Sequence, residues 1–137
     1  MAPTSESVHN LFSQLAKQET QKNFFDSVAD NVNWWLVGHT QMSGTYNSKQ
    51  AFLDATIEVL NKKVLGGPLL MRTTNVAVGG DYATVELEAI DAKCKNGMTY
   101  DMRYCWVVRF GKESGLIEEV RAYIDTDLLS RAIEQNQ

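Results

Sequence analysis

Two phenols are the groups in this chain best suited to chemistry. Tyr100 and Tyr104 fall on one face of the same predicted strand. A buried phenol can donate a hydrogen bond to an oxygen that gains negative charge during a reaction, and such a bond counts for more in a low-dielectric site than in water. Tyr104 suits equally well a core aromatic whose hydroxyl is tied to the backbone. Tyr100, nearer the mouth of any cavity, would help orient a ligand carbonyl or hydroxyl. Asp91 continues the alternation of Val85, Leu87 and Ala89. At a cavity rim it could accept a proton with a raised pKa; near a hairpin a carboxylate is more often solvated. His39 is of the type that titrates near neutrality. Its parity with Trp35 and Val37 turns it outward unless a bulge at Gly38 flips it, so a surface role is expected. His9 falls on the solvent side of the first predicted helix.

Other chemistries find no foothold. Two histidines thirty residues apart and scattered carboxylates do not make a zinc-type ligand set. Gly79-Gly80 joins two strands and does not open a helix, so it is no phosphate loop. There is no nucleophile elbow and no Cys–His pair. Cys94 and Cys105 are too few for a disulfide scaffold, and Cys105 reads as a small packed strand residue. No cofactor is implied. The chain has 137 residues, 44% of them apolar, which suits one domain over residues 1–137. Acidic residues outnumber basic ones 17 to 13 without a basic stripe, which argues against nucleic acid. No apolar run approaches the ~18 residues of a membrane span, and the N-terminus lacks a signal-peptide pattern. A cytoplasmic protein without membrane contact is the resulting expectation.

The elements that must position these groups follow from periodicity. Val8, Leu11, Phe12, Leu15 and Ala16 have helical spacing, predicting a helix over about residues 5–18. Phe24, Phe25 and Val28 mark a second helix, with Thr20 as its cap. Residues 31–37 alternate as a strand. Ser48 then caps a third helix carrying Phe52, Leu53, Ile57, Leu60 and Val64, which Gly66-Gly67-Pro68 ends. Strands are predicted over 71–78, 82–92, 99–110 and 116–124, with turns at Gly79-Gly80 and Asn96-Gly97. Asp125-Thr126 caps a last helix with Leu128, Leu129 and Ile133. Helices followed by a meander of long strands predict an α+β fold. Strands of about eleven residues should curl, giving a mostly antiparallel sheet that wraps the N-terminal helices as a cone with an interior cavity.

Three stretches carry a resemblance. Ala29-Asp30-Asn31-Val32-Asn33-Trp34, with Gly38 and Ser43-Gly44-Thr45-Tyr46, is the first. Gly97-Met98-Thr99-Tyr100-Asp101-Met102-Arg103-Tyr104 and Leu116 to Thr126 are the others. In this order and spacing they resemble the SnoaL-like, ketosteroid-isomerase-like (nuclear transport factor 2-like) superfamily over nearly the whole chain. The resemblance implies a ligand held between concave sheet and helices, and dimerisation through the outer face of the sheet.

It also permits a test of known sites. The catalytic carboxylate and oxyanion-binding groups of ketosteroid isomerases fall here on Leu36, Phe12 and the neighbourhood of Trp106. The acid and arginine positions of limonene epoxide hydrolase fall on Leu87, Ala89 and Ala122. The family's usual strand asparagine is Met102. The departures remove the customary acids and make the cavity more apolar. The same alignment turns Trp34, Leu36, Leu87, Ala89 and Met102 inward with Tyr104. It does likewise for Trp106, Ala122 and Ile124, and Phe12 faces them from the first helix. Tyr104, Tyr100 and Asp91 are thus the catalytic candidates and the others the ligand-binding wall. The implied function is a cofactor-independent isomerase, cyclase or dehydratase for an apolar polyketide-, terpenoid- or alkaloid-like molecule. A non-catalytic binder, or a protein-interaction module of the same fold, is the alternative.

Overall fold

A computed structural model describes residues 2–137. Helix α1 (Ser5–Phe12) starts at a capping box: the Thr4 hydroxyl accepts from the Ser7 N–H, and the Ser7 side chain accepts from the Thr4 N–H. A 3₁₀ turn (Ser13–Ala16) ends the first helical stretch earlier than periodicity suggested. Helix α2 (Gln21–Asp26) follows. Thr20 precedes it but does not cap it, because its hydroxyl donates to the Gln14 carbonyl at 2.7 Å.

Strand β1 (Val28–Leu36) alternates buried and exposed residues from Val32 onward. A short strand β2 (Gly44–Tyr46), which alternation did not reveal, pairs with its end. Ser48 caps helix α3 (Lys49–Ala55) by accepting from the Ala51 N–H. The predicted third helix is not continuous. The backbone breaks at Thr56, resumes in the short helix α4 (Ile57–Val59), and ends in a π-helical turn (Leu60–Val64).

Strands β3 (Met71–Gly79), β4 (Tyr82–Ala89), β5 (Arg103–Phe110) and β6 (Ile117–Ile124) complete the sheet. Helix α5 (Thr126–Gln135) is capped by Asp125, whose carboxylate accepts from the Leu128 N–H at 3.0 Å. The strands run eight or nine residues, shorter than the expected eleven. The missing length lies between Ala89 and Arg103, where the chain leaves the sheet. There the Asn96-Gly97 turn uses a positive φ only at Gly97, with the Gly97 N–H donating to Cys94 and the Cys94 N–H to Met98.

The sheet order is β2-β1-β6-β5-β4-β3, with β1 and β6 parallel and the other pairs antiparallel. Register shifts interrupt β1–β6, β3–β4 and β5–β6. Such shifts bend a sheet and increase its twist, and here they make it curved and unclosed. The inner face is read directly from the register. One row runs Leu36, Ala122, Trp106, Val85; the next runs Ile124, Tyr104, Leu87. Helices α1, α2 and α3 cover that face and bury Val8, Phe12, Phe24 and Phe52. Lys49 ties the helical layer down: its ammonium donates to the Phe25 carbonyl at 2.8 Å and the Val28 carbonyl at 3.0 Å. No helix among the described residues is long and apolar enough to cross a membrane.

Candidate functional site

The inner face of the sheet and the broken helix do not meet completely. Between them lies a cavity of about 50 Å³, room for a few waters. Its floor comes from the sheet: Trp34 and Leu36 on β1, Tyr104 and Trp106 on β5, Ala122 and Ile124 on β6. Its opposite wall comes from Phe52, Thr56, Ile57 and Leu60, with Leu69 and Met71 at the side. Met42, from the β1–β2 connection, and Leu129, from α5, close the remaining edge. The aromatic rings hold one another at fixed angles. Trp34 stacks on Phe52 at a centroid distance of 3.8 Å, and Trp106 meets Trp34 edge-on at 5.2 Å.

Polar groups in this wall are few. The Thr56 hydroxyl is occupied, donating to the Phe52 carbonyl at 2.7 Å. The Tyr104 hydroxyl and the Trp34 indole nitrogen are buried without a hydrogen-bond partner. Tyr100 is buried beside them, placed by a bond from its N–H to the Ala92 carbonyl. Burial pushes both phenols above the usual tyrosine range. The two hydroxyls lie near enough to influence each other, yet no hydrogen bond of ordinary geometry joins them. No carboxylate, histidine, lysine or arginine lines the cavity. The site therefore offers neutral hydrogen-bond donors in an apolar setting and no resident base. Among the described residues, no three His, Cys, Asp or Glu side chains gather as a metal site.

Of the residues singled out from sequence, Tyr100, Tyr104, Trp34, Leu36, Trp106, Ala122 and Ile124 all border the cavity. Phe12, Leu87 and Met102 do not. They are buried in the surrounding core, Phe12 against Phe24 with ring centroids 4.9 Å apart. Ala89 ends β4 and lies only half-buried, away from the wall. Asp91 is the clear correction. It is exposed, with φ of 45°, in a surface groove beside Gly66, Gly67 and Lys93. The alternation that placed it inward stops at Ala89, because the strand does. His39 is exposed, near Thr40, Thr126 and Asp127. The helical wall of Phe52, Thr56, Ile57 and Leu60 went unassigned. The apolar stripe of that helix was visible, but nothing in its period says which members border a void.

Solved structures of known proteins share this architecture. A NTF2-like protein from Burkholderia thailandensis superposes with a TM-score of 0.73, covering 91% of this chain and 95% of that one at 16% identity. The chain has the NTF2-like fold. TerC co-crystallized with polyporic acid shares it, with a TM-score of 0.68 over 94% of this chain and 96% of TerC at 16% identity. The superfamily resemblance drawn from the three sequence stretches therefore corresponds to the fold found. No family profile matches the chain. Two curated fungal proteins align along it: the dimerizing cyclase phiC of a fungal species, 26% identical over 132 residues, and the dimerizing cyclase tstC of Talaromyces stipitatus, 25% identical over 132 residues. Each alignment takes in 95% of this chain, which spans 57% of the length of these two relatives.

An unpaired buried hydroxyl weakens a fold by about 1–3 kcal/mol. Tyr104→Phe is accordingly expected to leave stability in urea unchanged or to raise it within that range. The raised pKa values add a pH signature. Below about pH 10 both phenols are protonated whether the chain is folded or not. Above that pH the unfolded chain loses these protons first, so stability falls as pH rises. Tyr104→Phe should reduce the slope by one proton, about 1.4 kcal/mol per pH unit. Destabilisation by the substitution at neutral pH, or an unaltered alkaline slope, would contradict an unpaired buried phenol.

Proposed function

We propose that this chain is a cofactor-free cyclase or isomerase acting on an apolar, carbonyl-bearing small molecule held in the Trp34–Tyr104 cavity. The observation that carries the reading is the pair of phenols, one of them unpaired, in an apolar enclosure without a base. Donors aimed at an oxygen that gains charge in the transition state do most where water is excluded. Such a site favours ring closures and rearrangements that need a polarised carbonyl. All substrate atoms are then retained, and any proton moves within the substrate or through solvent. The dimerizing-cyclase names of the two fungal relatives support the reaction class. The co-crystallisation of TerC with polyporic acid supports ligand binding on this fold.

The cavity is smaller than the ~300–1,000 Å³ of ordinary ligand pockets, so a polyketide-sized substrate requires the wall to open. The broken segment at Thr56 and the π-helical turn after it are suited to yield, since such irregularities concentrate where helices must adjust. Incubated without added cofactor with apolar α,β-unsaturated ketones and lactones, the protein is expected to give products of unchanged or doubled mass by mass spectrometry. Tyr104→Phe should slow that conversion by about 10²–10³. Full activity in the Tyr104→Phe, Tyr100→Phe double variant would sink the reading.

We also infer self-association through the outer face of the sheet. Trp35, Tyr82 and Tyr123 project from that face and are each 40% or more exposed. A second copy would cover them together with Arg121, which pairs with Trp35 and packs over the Tyr82 ring at 5.9 Å, since exposed large apolar side chains mark interaction surfaces. Analytical ultracentrifugation should report a dimer, and Trp35→Glu should convert it to monomer. A monomeric unaltered chain at tens of micromolar would refute this.

A further inference from the structure

We propose that the indole N–H of Trp34 is itself a ligand-binding group, and that the cavity takes an uncharged molecule presenting a carbonyl-type oxygen to it. The inference rests on the reading of the cavity as a small-molecule site and goes on to specify what enters it.

Trp34 is wholly buried, and its indole nitrogen has no partner. An indole N–H can only donate, and a buried donor left unpaired carries the full penalty of its desolvation. Phenylalanine would fill the stack on Phe52 without that penalty. The surroundings offer the N–H no acceptor, because the neighbouring rings of Phe25, Phe52 and Trp106 present carbon. The Thr56 hydroxyl, the other small polar group in the wall, is bonded to the Phe52 carbonyl. What remains unpaired among the residues of the wall is the Trp34 N–H and the Tyr104 hydroxyl, both fully buried at its surface, with the Tyr100 phenol beside them. A ligand satisfies such donors with an acceptor oxygen. The absence of any cation from the lining adds the second half of the inference. An anion moved into this enclosure would lose its hydration with no counter-charge to offset it. A neutral ketone, lactone or quinone-type carbonyl meets both demands, and a carboxylate meets only the first.

The test uses the full chain and three small probes of similar size: acetophenone, its isostere α-methylstyrene with CH₂ in place of oxygen, and benzoate. Titration calorimetry at millimolar probe is the readout. Acetophenone is expected to bind at least about tenfold more tightly than benzoate. Trp34→Phe should weaken acetophenone about tenfold while leaving α-methylstyrene within about twofold. Equal weakening of both neutral probes, no weakening of either, or benzoate binding as well as acetophenone would overturn the proposal. In those cases the small-molecule site would still stand. Failure of all three probes to bind would overturn the small-molecule reading and the proposal together. If Trp34→Phe does not fold by circular dichroism, the carbonyl stretch of acetophenone bound to the Tyr100→Phe, Tyr104→Phe double variant decides. A shift to lower frequency than in heptane supports the indole as donor on the oxygen, and an unshifted band contradicts it.

Discussion

The stack of Trp34 on Phe52 is the contact on which the site depends. Trp34 stands on β1, beside the edge strand β2, and Phe52 on the helix facing it, with ring centroids 3.8 Å apart. Trp106, edge-on to Trp34, and Tyr104, edge-on to Trp106, extend the cluster across the strands. Rigid rings at these angles cannot be compressed as aliphatic chains can, so sheet and helix meet at the stack and stand apart beside it. The gap beside the stack is the cavity. Curvature serves the same end: register shifts in three strand pairs bend the sheet around the helices, and the concave face is the one that carries the cluster.

The polar chemistry follows from what this packing excludes. Protein interiors are filled to crystal-like density, and buried polar groups are nearly always paired. Trp34 and Tyr104 break the second rule at the place where the first also fails. An unpaired polar group in a packed core would be a defect. Here two of them belong to residues that line one void, which is what the proposed ligand site rests on. The wall holds no carboxylate or imidazole, so the proposed reaction has to run on binding, orientation and hydrogen-bond donation to oxygen. The same fold, as a class, hosts unrelated tasks, and the residues of the cavity decide which one this chain performs.

Legibility of the site in the sequence divides along the type of element. Trp34, Leu36, Tyr104, Trp106, Ala122 and Ile124 lie on strands, where a period of two assigns a face once a single residue is anchored. The family resemblance supplied that anchor, and the cross-strand register Leu36–Ala122–Trp106 agrees with it. Asp91 failed because alternation was carried past the end of a strand. Nothing in Ile90-Asp91-Ala92 says that the backbone turns left-handed there. The helical wall was illegible for a different reason. Phe52, Ile57 and Leu60 belong to one apolar stripe, but a stripe faces both core and void. The break at Thr56, where the hydroxyl donates to the Phe52 carbonyl, interrupts that stripe without altering its period. Phe12, Leu87 and Met102 show the converse limit, since facing inward does not distinguish filling the core from lining the space within it.

Trp34 keeps a buried, unpaired donor among the residues that line an apolar cavity. Nitrogen-15 resolved NMR of the indole protons, with Trp34 assigned by its loss in Trp34→Phe, tests this most directly. The account predicts a Trp34 indole proton in the free protein at a non-hydrogen-bonded chemical shift and protected from exchange with water. A downfield, hydrogen-bonded position or rapid solvent exchange would mean that the donor already has a partner, and the account of the site would fail.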